Sequence, residues 1–125
     1  MAIANRKGAF LEPTVIACDA DNSIATEEVF GPVLSVISFD NDDDAIAIAN
    51  GTDYGLVAGV FTRDLDRATT AAAKIHAGQV FVNEWYAGGV ETPFGGYGKS
   101  GYGRVKGREA LWNYVQTKNI AVRRR

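Results

Sequence analysis

Three strand-length runs constrain this chain most: Val33-Leu34-Ser35-Val36-Ile37-Ser38-Phe39, Leu56-Val57-Ala58-Gly59-Val60-Phe61 and Gln79-Val80-Phe81-Val82-Asn83. A strand wetted on one side alternates apolar and polar residues, whereas a run without alternation belongs to a strand covered on both faces, as parallel sheets require. Helical patterns lie between the runs. Asp40 to Asp44 opens one helix with acid at its positive end and Ala45, Ile46 and Ala49 on one side, and Gly51 to Gly55 closes it. Asp64 suits the N-cap of a second helix in which Leu65, Ala68, Ala72 and Ile75 recur at helical spacing, with Gly78 as its stop. Strands alternating with helices predict an α/β domain with a mostly parallel sheet and flanking helices.

The remaining elements are shorter. Phe10 to Ile16 reads as a strand, irregular or at an edge because of Pro13. Asp19 to Glu28 is polar and reads as loop with room for one helical turn. Glu109 to Val115 reads as a short helix, and Asn119-Ile120-Ala121-Val122 as a final strand. With 46% hydrophobic and 22% charged residues, one domain around one core is expected.

Composition narrows the chemistry. The single cysteine, Cys18, permits no internal disulfide, and with a single histidine, His76, a zinc site is not expected, so metal-free chemistry is. No apolar run approaches the roughly 18 residues of a membrane span, and residues 1–7 lack the apolar stretch of a signal peptide, so a cytoplasmic protein is expected. Residues 1–98 carry 5 Lys or Arg against 14 Asp or Glu, while residues 99–125 carry 8 against 1. The basic end fits a nucleic-acid arm or a cationic edge docking on an acidic protein surface; without interleaved exposed aromatics, nucleic acid is the weaker reading.

The stretch PFGGYGKSGYGRVKG, residues 93–107, has the look of a nucleotide loop: Gly96 to Gly101 fits G-x-G-x-x-G, and Gly98-Lys99-Ser100 fits the end of a P-loop. Context opposes both. A dinucleotide fingerprint turns directly from a strand into a helix, but the preceding strand ends near Asn83; the P-loop's first glycine is replaced by Pro93. A structural loop whose glycines allow close backbone approach is therefore expected.

The segments FLEPTVI, TEEVFGPV, GLVAGVFTRD, AGQVFVNEW, TPFGGYGKSGYGR and EALWNYVQTKNIAV, spanning Gly8 to Val122, resemble in order and spacing the C-terminal region of NAD(P)-dependent aldehyde dehydrogenases. The resemblance implies that residues 1–116 form the C-terminal part of that family's catalytic domain and that residues 117–125 form an oligomerisation strand with a basic tail. It implies that Glu28 accepts hydrogen bonds from the ribose of NAD or NADP and that Phe30 packs beside the nicotinamide; a carboxylate suits a diol, and the alternative is a solvated acidic pair at Glu27-Glu28. It also implies that Asn83, Trp85 and Phe94 line the aldehyde pocket, although Trp85 and Phe94 read equally well as ordinary core.

The family oxidises aldehydes to acids through a cysteine thiohemiacetal, with a glutamate activating water. The resemblance places both groups, and the dinucleotide-binding domain, in regions these residues do not match. Cys18 has no adjacent histidine or basic residue to activate it and occupies no nucleophile position, so it reads as a small, partly buried thiol. His76 reads as a surface residue or a partner of a helix C-terminus. Two positions depart from the pattern: Gly98 stands where lysine is usual and Val105 where an acid is usual, which removes a charge partner for Arg104. The expectation is an inactive fragment that binds no cofactor alone. The alternative is a non-catalytic assembly module, self-associating or joining a full-length relative through residues 117–122.

Overall fold

A computed structural model describes residues 7–124. It contains two compact units, one ending at Asp53 and the other beginning at Tyr54.

In the first unit, β1 (Thr14–Ala17) pairs in parallel with β2 (Val33–Val36), in register from Thr14 opposite Val33 to Ala17 opposite Val36. The crossover contains α1 (Ser23–Thr26), whose N-cap Asn22 accepts from the Ile24 N–H at 3.0 Å. Ser35 Oγ donates to the Ile24 carbonyl at 2.9 Å, fastening β2 to this turn. After β2 comes α2 (Asp42–Ala49). Its start is capped reciprocally: Asn41 Oδ1 accepts from the Asp44 N–H, and Asp44 Oδ2 accepts from the Asp40 N–H, both at 3.0 Å. Asp42, Asp43 and Asp44 in the first turn face the positive end of the helix dipole.

In the second unit, β3 (Tyr54–Gly55) pairs antiparallel with β6 (Tyr97–Gly98), and β4 (Val57–Val60) pairs in parallel with β5 (Gln79–Val82). The β4–β5 crossover is α3 (Leu65–Lys74), capped by Asp64, whose carboxylate accepts from the Arg67 N–H at 3.0 Å. A 3-10 helix spans Arg108–Tyr114.

The α/β class and the order of these elements match the pattern of the sequence. Four details differ. Among the described residues the strands form three two-stranded sheets, two parallel and one antiparallel. Tyr54–Gly55 and Tyr97–Gly98, expected in a helix stop and a loop, form the antiparallel pair. Residues 119–122 form no strand, because a terminal strand exists only where a neighbouring edge supplies its hydrogen bonds. The expected core is also nearly absent: among the described residues only Ala68 and Phe81 are buried hydrophobics, and Leu65, assigned to the buried stripe of α3, is 72% exposed. Runs suited to strands covered on both faces are present here with few layers to cover them. Among the described residues, no helix is long and apolar enough to cross a membrane.

Candidate functional site

The glycine-rich stretch is held by backbone contacts. Phe94 and Val105 form an antiparallel bridge, with N–H to carbonyl distances of 2.7 and 2.8 Å. Gly78 packs so tightly on this loop that a Cβ there would collide with the Gly95 carbonyl oxygen, and a Cβ on Gly95 would collide with that of Gly103. Gln79 Nε2 donates to the Pro93 carbonyl at 3.1 Å, and the Gly55 N–H donates to Ser100 Oγ at 3.0 Å. β6 thus lies within the loop, no helix opens at Gly96 to Gly101, and the loop's glycines serve close approach.

Arg104 finds its partners in this loop. Its Nη1 donates to the carbonyls of Gly96 at 3.0 Å and Gly103 at 2.8 Å, and its guanidinium lies 5.6 Å from the centre of the Tyr97 ring. Carbonyl dipoles and an aromatic face thereby stabilise the cation.

Asn83 and Trp85 stand at the C-terminal end of β5, the end at which parallel sheets bind ligands. Asn83 adopts φ 56°; its N–H donates to the Val60 carbonyl at 2.8 Å, and its Oδ1 accepts from the Thr62 N–H at 2.8 Å. Both groups tie the end of β5 to the end of β4. The Trp85 indole, 62% exposed, meets Phe81 edge-on with ring centres 6.0 Å apart and lies over Gly59. Tyr86 approaches Phe81 at 6.5 Å. A shallow open depression beside them is lined by Phe61, Thr62, Arg63, Leu65, Ala68 and Asn83.

Phe94 is half-buried within the glycine-rich loop, with Lys106 Nζ 5.9 Å from its ring centre. Its known contacts are therefore with the loop, while those of Asn83 and Trp85 are with β4 and β5. Glu28 and Phe30 belong to the first unit, just beyond α1. Glu28 is exposed, and Phe30 is 92% exposed at φ 37°. Cys18 is half-buried after β1, its N–H donating to the Val36 carbonyl at 3.1 Å, and His76 is exposed just beyond α3.

Sequence reading missed Gly59 and Thr62. Gly59 is one small residue inside an apolar run, and Thr62 falls between that run and the Asp64 cap; only the three-dimensional return of β5 beside β4 gives either a role.

The family model described as "Aldehyde dehydrogenase family" matches residues 2–120. The chain is 44% identical over 118 residues to the 4-trimethylaminobutyraldehyde dehydrogenase of Sus scrofa, covering 94% of this chain and 24% of that protein. It is 49% identical over 117 residues to the betaine aldehyde dehydrogenase of Brucella melitensis, covering 93% of this chain and 24% of that protein. A crystal structure of the betaine aldehyde dehydrogenase of Staphylococcus aureus in complex with NAD+ superposes with a TM-score of 0.81 at 42% identity, over 86% of this chain and 21% of that one. These 125 residues span about a quarter of the length of the curated relatives they match. With the family model covering nearly every residue, the chain belongs to the aldehyde dehydrogenase family.

Proposed function

We propose that these residues supply the C-terminal part of an aldehyde dehydrogenase catalytic domain in residues 1–116 and an oligomerisation strand with a basic tail in residues 117–125. They contribute the nicotinamide end of a cofactor site and part of an aldehyde pocket, and leave the reaction centre to other residues. The observation that carries this reading is Phe30, a bulky side chain held at positive φ with its ring almost wholly in solvent. Such a backbone is unfavourable for phenylalanine, and strained residues of this kind cluster at ligand clamps.

The donor set fits NAD or NADP. Glu28, exposed two residues away, offers a carboxylate to a ribose diol, and Phe30 offers an apolar face to a flat ring. Bound there, NAD or NADP would supply a hydride acceptor. Glu28 and Phe30 orient its reacting ring. Trp85 and Phe94 give the aldehyde apolar contact and restrict water, while Asn83 holds the strand ends that carry Trp85. In this reading Cys18, half-buried beside a strand, takes no part.

Because these residues reach only one end of the cofactor, calorimetry on the chain alone is expected to show no micromolar NAD affinity. Micromolar affinity that survives Glu28→Ala contradicts the assignment of Glu28.

A second reading, assembly through residues 117–122, is favoured by one observation: Ile120 and Val122 are 74% and 84% exposed on a segment without ladder partners. An unpaired apolar segment is a template for strand addition to a second copy or a full-length relative. Light scattering is expected to show association by the intact chain that is lost on truncation after Gln116. Equal association by the truncated chain contradicts it.

A further inference from the structure

Two glycines flanking β4 and β5 are closed by main chain. A Cβ on Gly55 would collide with the backbone carbonyl of His76, and one on Gly78 with that of Gly95, so those positions are closed by main chain that cannot yield cheaply. Gly59 on β4 is different. A Cβ there would stand 2.9 and 3.0 Å from Trp85 Cζ3 and Cε3 and 3.4 Å from Phe61 Cε2, all of them side-chain atoms. The obstruction is the edge of an indole, and an indole that is 62% exposed has room to move away.

What else fixes Trp85 is also local. Asn83 binds the ends of β4 and β5 together through Val60 and Thr62, so the backbone two residues before Trp85 is anchored. Phe81 meets the ring edge-on, with centres 6.0 Å apart. With the backbone fixed, the size of residue 59 decides how closely the indole approaches β4.

We propose that Gly59 is a specificity-determining position that acts through Trp85. The bare strand at Gly59 lets the indole settle against β4, leaving space on its exposed side for a bulky aldehyde. A methyl group at 59 lifts the indole toward that side, narrows the pocket and shifts preference to small aldehydes. This rests on the reading of Trp85 as a pocket residue. One methyl group in an apolar pocket discriminates substrates by about tenfold or more, the size of effect expected.

The test has two arms. In the 125-residue chain, nuclear Overhauser contacts between the Gly59 α-protons and the Trp85 indole are expected. Gly59→Ala should displace the indole resonances while leaving the β4 and β5 amides in place; an indole that stays put overturns the proposal. In the second arm, the chain replaces the corresponding region of the Staphylococcus aureus relative. Gly59→Ala should lower kcat/KM for bulky aldehydes about tenfold relative to small ones, mainly through KM, and the effect should vanish in a Trp85→Ala background. An unchanged ratio, or one that shifts equally without Trp85, overturns the proposal. Trp85→Ala that alters KM for no aldehyde overturns instead the underlying reading of Trp85, whatever the indole does in the first arm.

Discussion

The side-chain oxygen of Asn83 accepts a hydrogen bond from the backbone N–H of Thr62 at 2.8 Å. One residue at the end of β5 therefore satisfies a donor just beyond the end of β4, and does so from φ 56°, a conformation asparagine tolerates better than most residues.

Replacing Asn83 separates its two contributions. Asn83→Gly keeps access to positive φ and loses the Thr62 contact, so a cost of about 1 kcal/mol is expected. Asn83→Ala loses both and should cost about 2–3 kcal/mol. Hydrogen exchange at the Thr62 amide reads this directly: it should accelerate in both variants. Protection equal to the parent's in Asn83→Gly contradicts the clamp.

Gly78→Ala drives a methyl group into the Gly95 carbonyl oxygen, and neither partner is a movable side chain. The glycine-rich loop must then leave β5, breaking the contact between Gln79 Nε2 and the Pro93 carbonyl. A loss of at least about 1–3 kcal/mol is expected, the usual cost of overpacking. The amides of Phe94 and Val105 should lose protection together. Retained protection in a folded Gly78→Ala chain contradicts close backbone approach as the purpose of these glycines.

Glu91 makes the loop before Phe94 sensitive to acid. Its carboxyl is held below its ordinary value of 4.5 by backbone hydrogen bonds, first from its own N–H and then from that of Gly89, with Lys106 assisting and partial desolvation opposing. A depressed carboxyl stabilises the turn fully above its unfolded pKa, and that stabilisation is lost as pH falls through the folded value. The Gly89 amide shift should therefore titrate with a midpoint below 4.5. Glu91→Gln should remove the titration. A midpoint at or above 4.5 contradicts the turn geometry.

Much of this structure was legible in the sequence because local rules decided it. Asp64 and the acidic start of α2 announced both longer helices, and the runs at Val33, Leu56 and Gln79 announced β2, β4 and β5. What escaped depended on partners distant in sequence. Tyr54–Gly55 becomes a strand only because Tyr97–Gly98 returns beside it, and the single core expected from composition is almost absent because strands patterned for cover on both faces stand largely uncovered. The site divided in the same way. The resemblance singles out Glu28, Phe30 and Asn83, but neither the strained backbone at Phe30 nor the hydrogen bond from Thr62 to Asn83 is visible in it. Arg104, beside Val105, finds two carbonyls, an arrangement that depends on how the loop folds.

The central claim, that these residues carry site elements without the reaction centre, is tested most directly by incubating the chain with NAD+ and a panel of aldehydes and following NADH absorbance. No NADH above a protein-free control is expected, because a covalent route needs an activated nucleophile and a base. Aldehyde-dependent NADH that disappears in Cys18→Ser would contradict the account and make the half-buried thiol after β1 a catalyst.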